Sequence, residues 1–363
     1  MRVSRMTFRC LPLLNNTRIF SASLLLLFIV VYVLKSSFNN QPPNTNTRSL
    51  TYQEQTTNFL LSRHKDIQIH QVINKTTTAV KQVLVPKTQK VICFDLISGF
   101  GNQMLMFASL YATAKRKGMK LVLSHYQQLQ AAFKIDEAIE TNWDVCKNAT
   151  VIQEQPPCCG VANNIYNISN QKTVLVKGYL QSYKYFDSYK DDIRKYLTFR
   201  SSVQKKAETK LQNYLSKRYA GMDVSKRTLI GVHIRRGNFL LQSFINKGYL
   251  IATKEYLYKA QKIMQSKYSN ITYIVCSNDV EWAKDVFKHQ HDAIVVSMGP
   301  QEVDLALLSL MDHMIMTVGT YGFWASWFVN GTTIYCKDFA KPGSLFASYY
   351  GNETFPASWI GLN

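Results

Sequence analysis

Short apolar runs alternate with segments of helical periodicity throughout the second half of the chain, and this alternation restricts the fold more than any other feature. It predicts strands at 229–234, 273–276, 293–297, 314–317 and 333–336, and helices at 254–267, 281–288, 302–312 and 323–329. Repeated β–α alternation is typical of a parallel, doubly wound sheet. In the first half, strands at 91–96, 121–123 and 174–176 and a helix at 104–117 predict a second unit of the same α/β class.

The loop after the strand 229–234 carries two consecutive arginines, Arg235 and Arg236. Ligands of open α/β sheets bind just beyond the carboxyl ends of the strands. Guanidinium groups bind phosphate bidentately, so a pair of them at this edge favours a phosphate site. Within the strand, Val232 and Ile234 point to one face and His233 to the other. Two solvated arginines are the alternative interpretation, and this stretch alone leaves both open.

Three further loops are predicted at the carboxyl edges of strands. The loop 318–322 contains small and polar residues, and Asn278 and Asp279 follow another strand. A carboxylate can accept from two N–H groups of guanine at once, although Asp279 could instead cap the helix that follows it. In the turn 98–103, glycine would let the backbone approach a ligand closely.

The formal net charge is +20, from 43 Lys and Arg against 23 Asp and Glu. Such an excess of positive charge could bind nucleic acid, an anionic membrane surface or an anionic substrate. The basic residues are scattered, however, and the sequence has no zinc-finger, basic-zipper or RNP pattern. We therefore favour diffuse surface charge over nucleic-acid binding.

An uncharged apolar run at 19–34 predicts a membrane anchor. As a helix it would reach roughly 24 Å, enough for a thin early-secretory bilayer. Four arginines and no acidic residue precede it, so the positive-inside rule predicts a cytoplasmic tail at 1–18 and a lumenal chain beyond the anchor. A cleaved signal peptide is the alternative, but no good cleavage site follows. The segment 35–89, rich in Asn, Gln and Thr, predicts a stem.

Sequons and cysteines agree with a lumenal location. N-x-S/T sequons begin at Asn74, Asn148, Asn167, Asn270, Asn330 and Asn352. Cys146 could close a local disulfide loop with Cys158 or Cys159, whereas Cys93 and Cys276 lie in predicted strands and are expected to be buried thiols. The absence of a C-x-x-C motif argues against a structural zinc site.

Four segments, in order, resemble motifs of the alpha-1,2-fucosyltransferases, Golgi enzymes that share arginine motifs with the alpha-1,6 and protein O-fucosyltransferases. Ser-Gly-Phe-Gly-Asn-Gln-Met at 98–104 resembles the G-x-G-N-Q loop, and Val-His-Ile-Arg-Arg-Gly-Asn at 232–238 resembles H-x-R-R-x-D. Ser-Asn-Asp-Val-Glu-Trp at 277–282 resembles S-D-D-x-x-W. The segment 304–327 resembles the block D-L-x-L-L-S followed by S-T-F-x-W-W-x-x-W.

The resemblance implies a glycosyltransferase-B fold of two Rossmann-like halves, 90–225 on the acceptor side and 226–363 on the donor side. It implies a Golgi, single-pass type II membrane enzyme that transfers fucose from GDP-L-fucose to the 2-hydroxyl of a terminal galactose, with inversion and no essential metal. The catalytic residues would be Arg235 and Arg236, on the pyrophosphate, and His233. The implied donor-binding residues are Gly99, Gly101, Asn102, Gln103, Asn238, Asn278, Asp279, Thr320 and Tyr321.

The sequence departs from these motifs at several positions. Asn238 replaces the usual Asp, and an amide does not accept a proton at neutral pH, so Asn238 is expected at most to orient an arginine. Gly319, Tyr321 and Phe323 replace the usual Ser, Phe and first Trp. Asp95 is a candidate base by position only. The alternatives are a GDP-fucose-dependent transferase with another acceptor or linkage, and a non-catalytic, membrane-tethered glycan-binding relative.

Overall fold

The computed structural model describes residues 90–297, 299–350 and 354–363, all of which fall in one compact unit. The predicted tail, anchor and stem, and the sequons at Asn74 and Asn352, lie outside these residues. Within the described ranges, no helix is both long and apolar enough to cross a membrane.

Two parallel sheets organise the described chain. Their ten strands are β1 Val91–Asp95, β2 Lys120–Ser124, β3 Thr150–Gln153, β4 Val174–Lys177, β5 Thr228–Ile234, β6 Ile271–Ser277, β7 Ala293–Val295, β8 His313–Met316, β9 Thr333–Cys336 and β10 Ile360–Leu362. The smaller sheet has the order β2-β1-β4-β3 and the larger has β10-β9-β8-β5-β6-β7. Every neighbouring pair is parallel, which confirms the predicted α/β class with parallel sheets.

Helices connect the strands. In the described residues the α-helices are α1 Phe100–Arg116, α2 Gln127–Ala132, α3 Asn163–Tyr166, α4 Lys190–Tyr196, α5 Ser201–Arg218, α6 Gln242–Asn246, α7 Lys254–Lys267, α8 Val280–Phe287, α9 Gln301–Ser309, α10 Thr320–Phe328 and α11 Leu345–Ser348. Short 3-10 turns lie at Asp136–Ala138, Trp143–Cys146, Tyr183–Tyr185, Asp187–Tyr189 and Gly237–Leu240.

Most predicted elements are present, but some of their boundaries were wrong. Helix α1 begins at Phe100, four residues before the predicted start, and α10 begins at Thr320 rather than Phe323. Both starts contain a glycine, which propensity disfavours in a helix, and the two helices pack against each other. Strand β3 was not predicted, and neither was β10, which pairs with β9.

The side chains of β5 alternate between the two faces of the larger sheet, as its sequence predicts, and the two faces pack in different apolar clusters. Ile230, Val232 and Ile234 belong to one apolar cluster, with residues of α7 and α8. Gly231 on the opposite face approaches Met314, which belongs to a second cluster that also contains most of the smaller sheet's apolar residues. Trp324 is fully buried in that second cluster, so α10 lies in a core shared by both sheets.

The disulfide prediction was wrong. Cys93 is bonded to Cys146, and Cys158 is bonded to its neighbour Cys159, while Cys276 is a buried free thiol as expected. Cys93 lies on the face of β1 away from the main core, where the turn that ends at Cys146 covers it. The apolar run around Cys93 gave no indication of this small separate cluster.

Polar contacts also tie the long helix α5 to α9 and the shorter α4 to α10. The Lys210 ammonium is 2.6 Å from Asp304 Oδ1, and Asp304 Oδ2 accepts from the Gly299 N–H at 2.8 Å. The Arg194 guanidinium donates to the Trp327 carbonyl at the end of α10, at 2.9 Å, and lies over the Trp327 ring. The contacts of Arg194 hold the C-terminal end of α10 in place.

Candidate active site

Each sheet has a point at which the strand order reverses. In the larger sheet, β6 and β7 lie on one side of β5 and β8 lies on the other, so the reversal falls between β5 and β8. In the smaller sheet it falls between β1 and β4. Crevices at such reversals are the usual ligand sites of open α/β sheets. The loops that follow these four strands are therefore the candidate site.

Asn102 joins loops from both sheets at this place. Its Oδ1 atom accepts from Thr320 Oγ1 at 2.7 Å and from Gln181 Nε2 at 2.9 Å. Its Nδ2 atom donates to Ser98 Oγ at 2.8 Å. Ser98 has a φ of 72°, a strained value for a residue with a side chain. The two strand-order reversals are thus in direct hydrogen-bonded contact.

The two glycines before and within α1 have different surroundings. A Cβ atom on Gly101 would lie 2.5 Å from the Tyr321 nitrogen and 2.7 Å from the Thr320 carbonyl carbon. The Gly101 carbonyl also accepts from Trp324 Nε1 at 3.1 Å. The expectation that Gly101 leaves room for a ligand was therefore wrong, because the backbone of α10 fills that space. A Cβ atom on Gly99 would meet no atom within 4 Å.

Arg235 is the first residue of the loop that follows β5, and it contacts the loop that follows β8. Its backbone N–H donates to Thr317 Oγ1 at 2.9 Å, and its guanidinium lies 5.3 Å from the centre of the Phe239 ring. Burial lowers the pKa of the guanidinium from its ordinary value. Among the residues that the structure describes, no carboxylate forms an ion pair with Arg235. A half-buried cation without an anion suits a negatively charged ligand.

Arg236, in contrast, already has an anionic partner. Its Nε atom is 2.9 Å from Asp279 Oδ2, and its guanidinium lies 4.1 Å from the centre of the Trp282 ring. Its backbone N–H donates to Asn278 Oδ1 at 2.8 Å. The two consecutive arginines therefore differ in their charge balance, which the sequence did not indicate.

Asn278 and Asp279 organise the loop rather than standing free in it. Asp279 Oδ1 accepts from the Trp282 N–H at 3.3 Å, so Asp279 caps α8, as the alternative interpretation predicted. A Cβ atom on Gly237 would lie 2.0 Å from Asn278 Nδ2. Gly237 has a φ of 35°, so only glycine combines this conformation with the close approach of Asn278.

His233 is buried beneath the site. Its ring centre is 5.2 Å from that of Tyr321, whose hydroxyl donates to the Gln301 carbonyl at 2.6 Å. Its Nδ1 atom is buried and has no hydrogen-bond partner in the described part of the chain. Burial, together with the charge of Arg235, lowers the pKa of His233 to about 3. The imidazole is therefore neutral at physiological pH.

This lowered pKa predicts a loss of stability as the pH falls below 6.5. The unfolded chain takes up a proton on His233 near its ordinary pKa of 6.5, whereas the folded chain does not until about pH 3. Within that range each pH unit downward should remove about 1.4 kcal/mol of the free energy of unfolding through this residue. Denaturation of the wild type and of His233→Gln at pH 7, 6 and 5 measures it.

The variant should lose this contribution, so its stability relative to the wild type should rise as the pH falls. The same substitution at His289, which is exposed, controls for the loss of a surface imidazole. If the stabilities of the wild type and His233→Gln change in parallel with pH, His233 does not resist protonation.

The helices α1 and α10 both begin at the site, with Gly99 and Gly319 as their N-caps. Neither helix has a side-chain cap or an acidic residue in its first turn. Helix N-termini carry partial positive charge and bind anions. Gly319 has a φ of 94°, and a Cβ atom on it would lie 3.9 Å from Arg235 Cγ. Glycine suits this conformation, which gives a physical reason for its presence where serine is usual.

A small cavity of about 60 Å³ adjoins the start of α10. Its wall includes Gln181, Phe239, Tyr249, Gly319, Thr320 and Phe346. Aromatic rings form most of the wall, and Gln181 and Thr320 contribute polar groups. Such a wall suits the apolar face of a sugar together with a few of its hydroxyls.

The remaining predicted residues are dispersed. Gln103 donates from Nε2 to the Ser98 carbonyl at 3.1 Å. Asn238 is exposed, and in the described ranges its side chain hydrogen-bonds to neither arginine.

Asp95 was the candidate base. Its partial burial is outweighed by hydrogen bonds from Ser124 and His125, which lower its pKa. A lowered pKa makes a carboxylate a weaker general base. No group of three His, Cys, Asp or Glu suited to a metal ion occurs in the described residues.

Comparison with known proteins decides the family. The model of "Glycosyl transferase family 11" matches residues 57–363. The chain belongs to glycosyl transferase family 11. Similar curated proteins include the galactoside alpha-(1,2)-fucosyltransferase 1 of Homo sapiens, 26% identical over 73% of both chains, and that of Saimiri sciureus, 26% identical over 73% of this chain and 72% of the other. The resemblance to the alpha-1,2-fucosyltransferase family is thereby confirmed, and the protein is a glycosyltransferase.

Solved structures similar to this family 11 enzyme are more distant. One is a point mutant of Arabidopsis thaliana FUT1 in complex with GDP, 14% identical, covering 78% of this chain and 79% of that one, with a TM-score of 0.47. Another is a NodZ alpha-1,6-fucosyltransferase co-crystallized with GDP, 14% identical, covering 66% and 92%, with a TM-score of 0.45.

Sequence reasoning missed two residues of the family 11 site, Thr317 and Gln181. Thr317 lies at the end of a predicted strand, and Gln181 lies a few residues beyond another, so their positions at a carboxyl edge were available as a signal. Gln181 carries no motif, however. Only the approach of β4 to β1 brings it to Asn102.

Proposed function

We propose that the protein transfers L-fucose from GDP-L-fucose to the 2-hydroxyl of a terminal galactose, with inversion at the fucose carbon. Family membership and the names of the curated relatives support this activity. Within the molecule one observation carries it. Arg235, a half-buried arginine without an anionic partner among the described residues, lies beside the uncapped N-terminus of α10. There Thr320 is hydrogen-bonded to Asn102, so the two strand-order reversals meet at this place.

The proposed donor site uses this positive charge in place of a metal ion. The diphosphate of GDP-fucose lies against Arg235 and the N-terminus of α10. As the bond between fucose C1 and the diphosphate oxygen breaks, its electron pair stays on GDP, and the cationic groups stabilise the added charge. The acceptor oxygen forms the new bond to C1 from the opposite face, and its proton leaves to solvent.

Arg236 has a different role in this proposal. Because Asp279 neutralises it, Arg236 holds the loop after β5 against the start of α8, and Asn278 fixes the backbone between the two arginines. The guanine ring and the acceptor then occupy the remainder of the crevice. The segments 226–363 and 90–225 correspond to the donor and acceptor halves of a glycosyltransferase-B enzyme.

We also propose that the enzyme is a type II Golgi membrane protein, with its anchor at 19–34 and its site in the lumen. Asn148, Asn167, Asn270 and Asn330 are all exposed, as glycosylation requires. Treatment with a glycosidase is expected to shift the electrophoretic mobility of the protein. The shift should disappear when these four residues are changed to Gln together with Asn74 and Asn352. A protein whose mobility does not change under that treatment contradicts the lumenal location.

The test of the activity is a donor and acceptor screen of the full chain in detergent. Labelled GDP-fucose should yield product with a β-galactoside, and linkage analysis should place fucose on the galactose 2-hydroxyl. A 2-deoxygalactoside is the matched control and should give none, and EDTA should leave the rate unchanged. Fucose at another position would identify a different linkage, and neither transfer nor hydrolysis of GDP-fucose would identify a non-catalytic relative.

A further inference from the structure

Glu154 is a buried carboxylate outside the donor site. Only 1% of its surface is exposed. Its Oε2 accepts from the Tyr179 N–H at 2.7 Å and its Oε1 from the Leu180 N–H at 3.1 Å, and the Cys158 N–H donates to the same carboxylate. A buried carboxylate is costly unless it is hydrogen-bonded, and backbone N–H groups supply these bonds. One side chain thus holds two separate loops.

Both loops that Glu154 binds have unusual backbone conformations. Cys158 has a φ of 66° and Leu180 a φ of 51°, values that residues with side chains rarely adopt. Gly178 has a φ of 155°, and a Cβ atom on it would lie 2.4 Å from Glu154 Cβ. Strained backbone persists only where surrounding contacts determine it, and it often occurs at functional sites. Here Glu154 supplies contacts of this kind to both loops.

The loop that Glu154 holds ends in Gln181, which reaches the candidate site. Gln181 Nε2 donates to Asn102 Oδ1, and its Oε1 atom lies 3.4 Å from Cys158 Sγ. Gln181 also lines the aromatic cavity beside Thr320. The other loop is held as well, because Thr354 Oγ1, also in the cavity wall, donates to the Cys159 carbonyl at 3.1 Å.

We propose that Glu154 is a positioning residue for the acceptor sugar and that Gln181 is the side chain through which it acts. The proposal rests on the proposed fucosyltransferase function. Gln181 follows β4 of the smaller sheet and lines the aromatic cavity, whose wall among the described residues does not include Arg235, so it meets the acceptor rather than the diphosphate. Glu154 fixes the loop from Gly178 to Gln181, and thereby the direction of the Gln181 amide.

The experiment compares Glu154→Gln with the wild-type full chain. Glutamine keeps the shape of the side chain but directs an NH2 group at backbone N–H donors. The KM for a galactoside acceptor should rise about tenfold to a hundredfold, as expected from a misplaced binding group. The KM for GDP-fucose and its hydrolysis without acceptor should stay within about twofold of the wild type, a split that general destabilisation would not produce.

Glu140→Gln is the matched control, because Glu140 also lies in the segment 90–225 but forms a surface ion pair with Lys120. Gln181→Ala removes the proposed contact directly and should raise the acceptor KM by a similar factor. It decides the question if Glu154→Gln fails to fold. An unchanged acceptor KM in Gln181→Ala, or a parallel loss of donor hydrolysis and acceptor affinity in Glu154→Gln, would overturn the proposal.

Hydrogen exchange separates this proposal from the proposed function. In Glu154→Gln the amides of 178–181 should exchange at least about tenfold faster, while those of 235–238 should not change. If the wild type transfers no fucose to any galactoside, the proposed function fails, and the positioning role is judged on exchange alone. Unchanged exchange at 178–181 would contradict it.

Discussion

Arg235→Ala is expected to reduce kcat for fucose transfer by at least about a hundredfold, the usual cost of removing one group that stabilises developing charge. Arg235 is the half-buried arginine of the site that lacks a carboxylate partner among the described residues, and it lies beside the start of α10. Its attraction for the diphosphate increases as GDP leaves, so kcat should fall more than the KM for GDP-fucose rises. Steady-state kinetics with saturating acceptor measures both.

Two variants make this result specific. Arg235→Lys keeps the charge but loses the planar, bidentate geometry, so its activity should lie between those of the wild type and the alanine variant. Arg218→Ala removes an exposed arginine at the end of α5 and should leave kcat unchanged. An Arg235→Ala enzyme with more than about a tenth of the wild-type kcat would contradict the role of Arg235.

The parallel sheets and their carboxyl edges could be predicted because they depend on local patterns. An apolar run such as 229–234 is long enough only for a buried strand, and the arginines that follow it cannot enter the core. The pairing of Arg236 with Asp279 depends instead on β6 lying next to β5, across 43 residues of chain. No pattern near Arg236 indicates that its charge is already balanced, so both arginines were assigned to the diphosphate.

The predictions of the disulfides and of the helix starts were wrong for a related reason. Cys93 and Cys146 are 53 residues apart, and only the packing of a short turn against the second face of β1 brings them together. Gly101 and Asn102 disfavour a helix by propensity, yet they lie in its first turn because α10 packs there. In each case a contact between distant segments outweighed the local preference.

The contact between α1 and α10 makes Gly101→Ala the most damaging small substitution that we expect. The added methyl would lie 2.5 Å from the Tyr321 nitrogen and 2.7 Å from the Thr320 carbonyl carbon, both backbone atoms that cannot rotate away. The helices must separate, which should lower the free energy of unfolding by about 3 kcal/mol, even though alanine is the better helix former. Separation also breaks the bond from Thr320 to Asn102, so kcat should fall roughly a hundredfold.

Gly99→Ala is the matched control, two residues away in the same motif. Gly99 has a φ of −75°, which alanine adopts without strain, and its added methyl would meet no atom within 4 Å. This variant should lose no more than about 1 kcal/mol, the usual cost of an alanine N-cap. Thermal unfolding and kinetics of the two variants in parallel measure the difference. Only the packing of α10 distinguishes Gly101 from Gly99. If the two variants lose activity equally, contact with a ligand, and not contact with α10, is the reason that these positions need glycine.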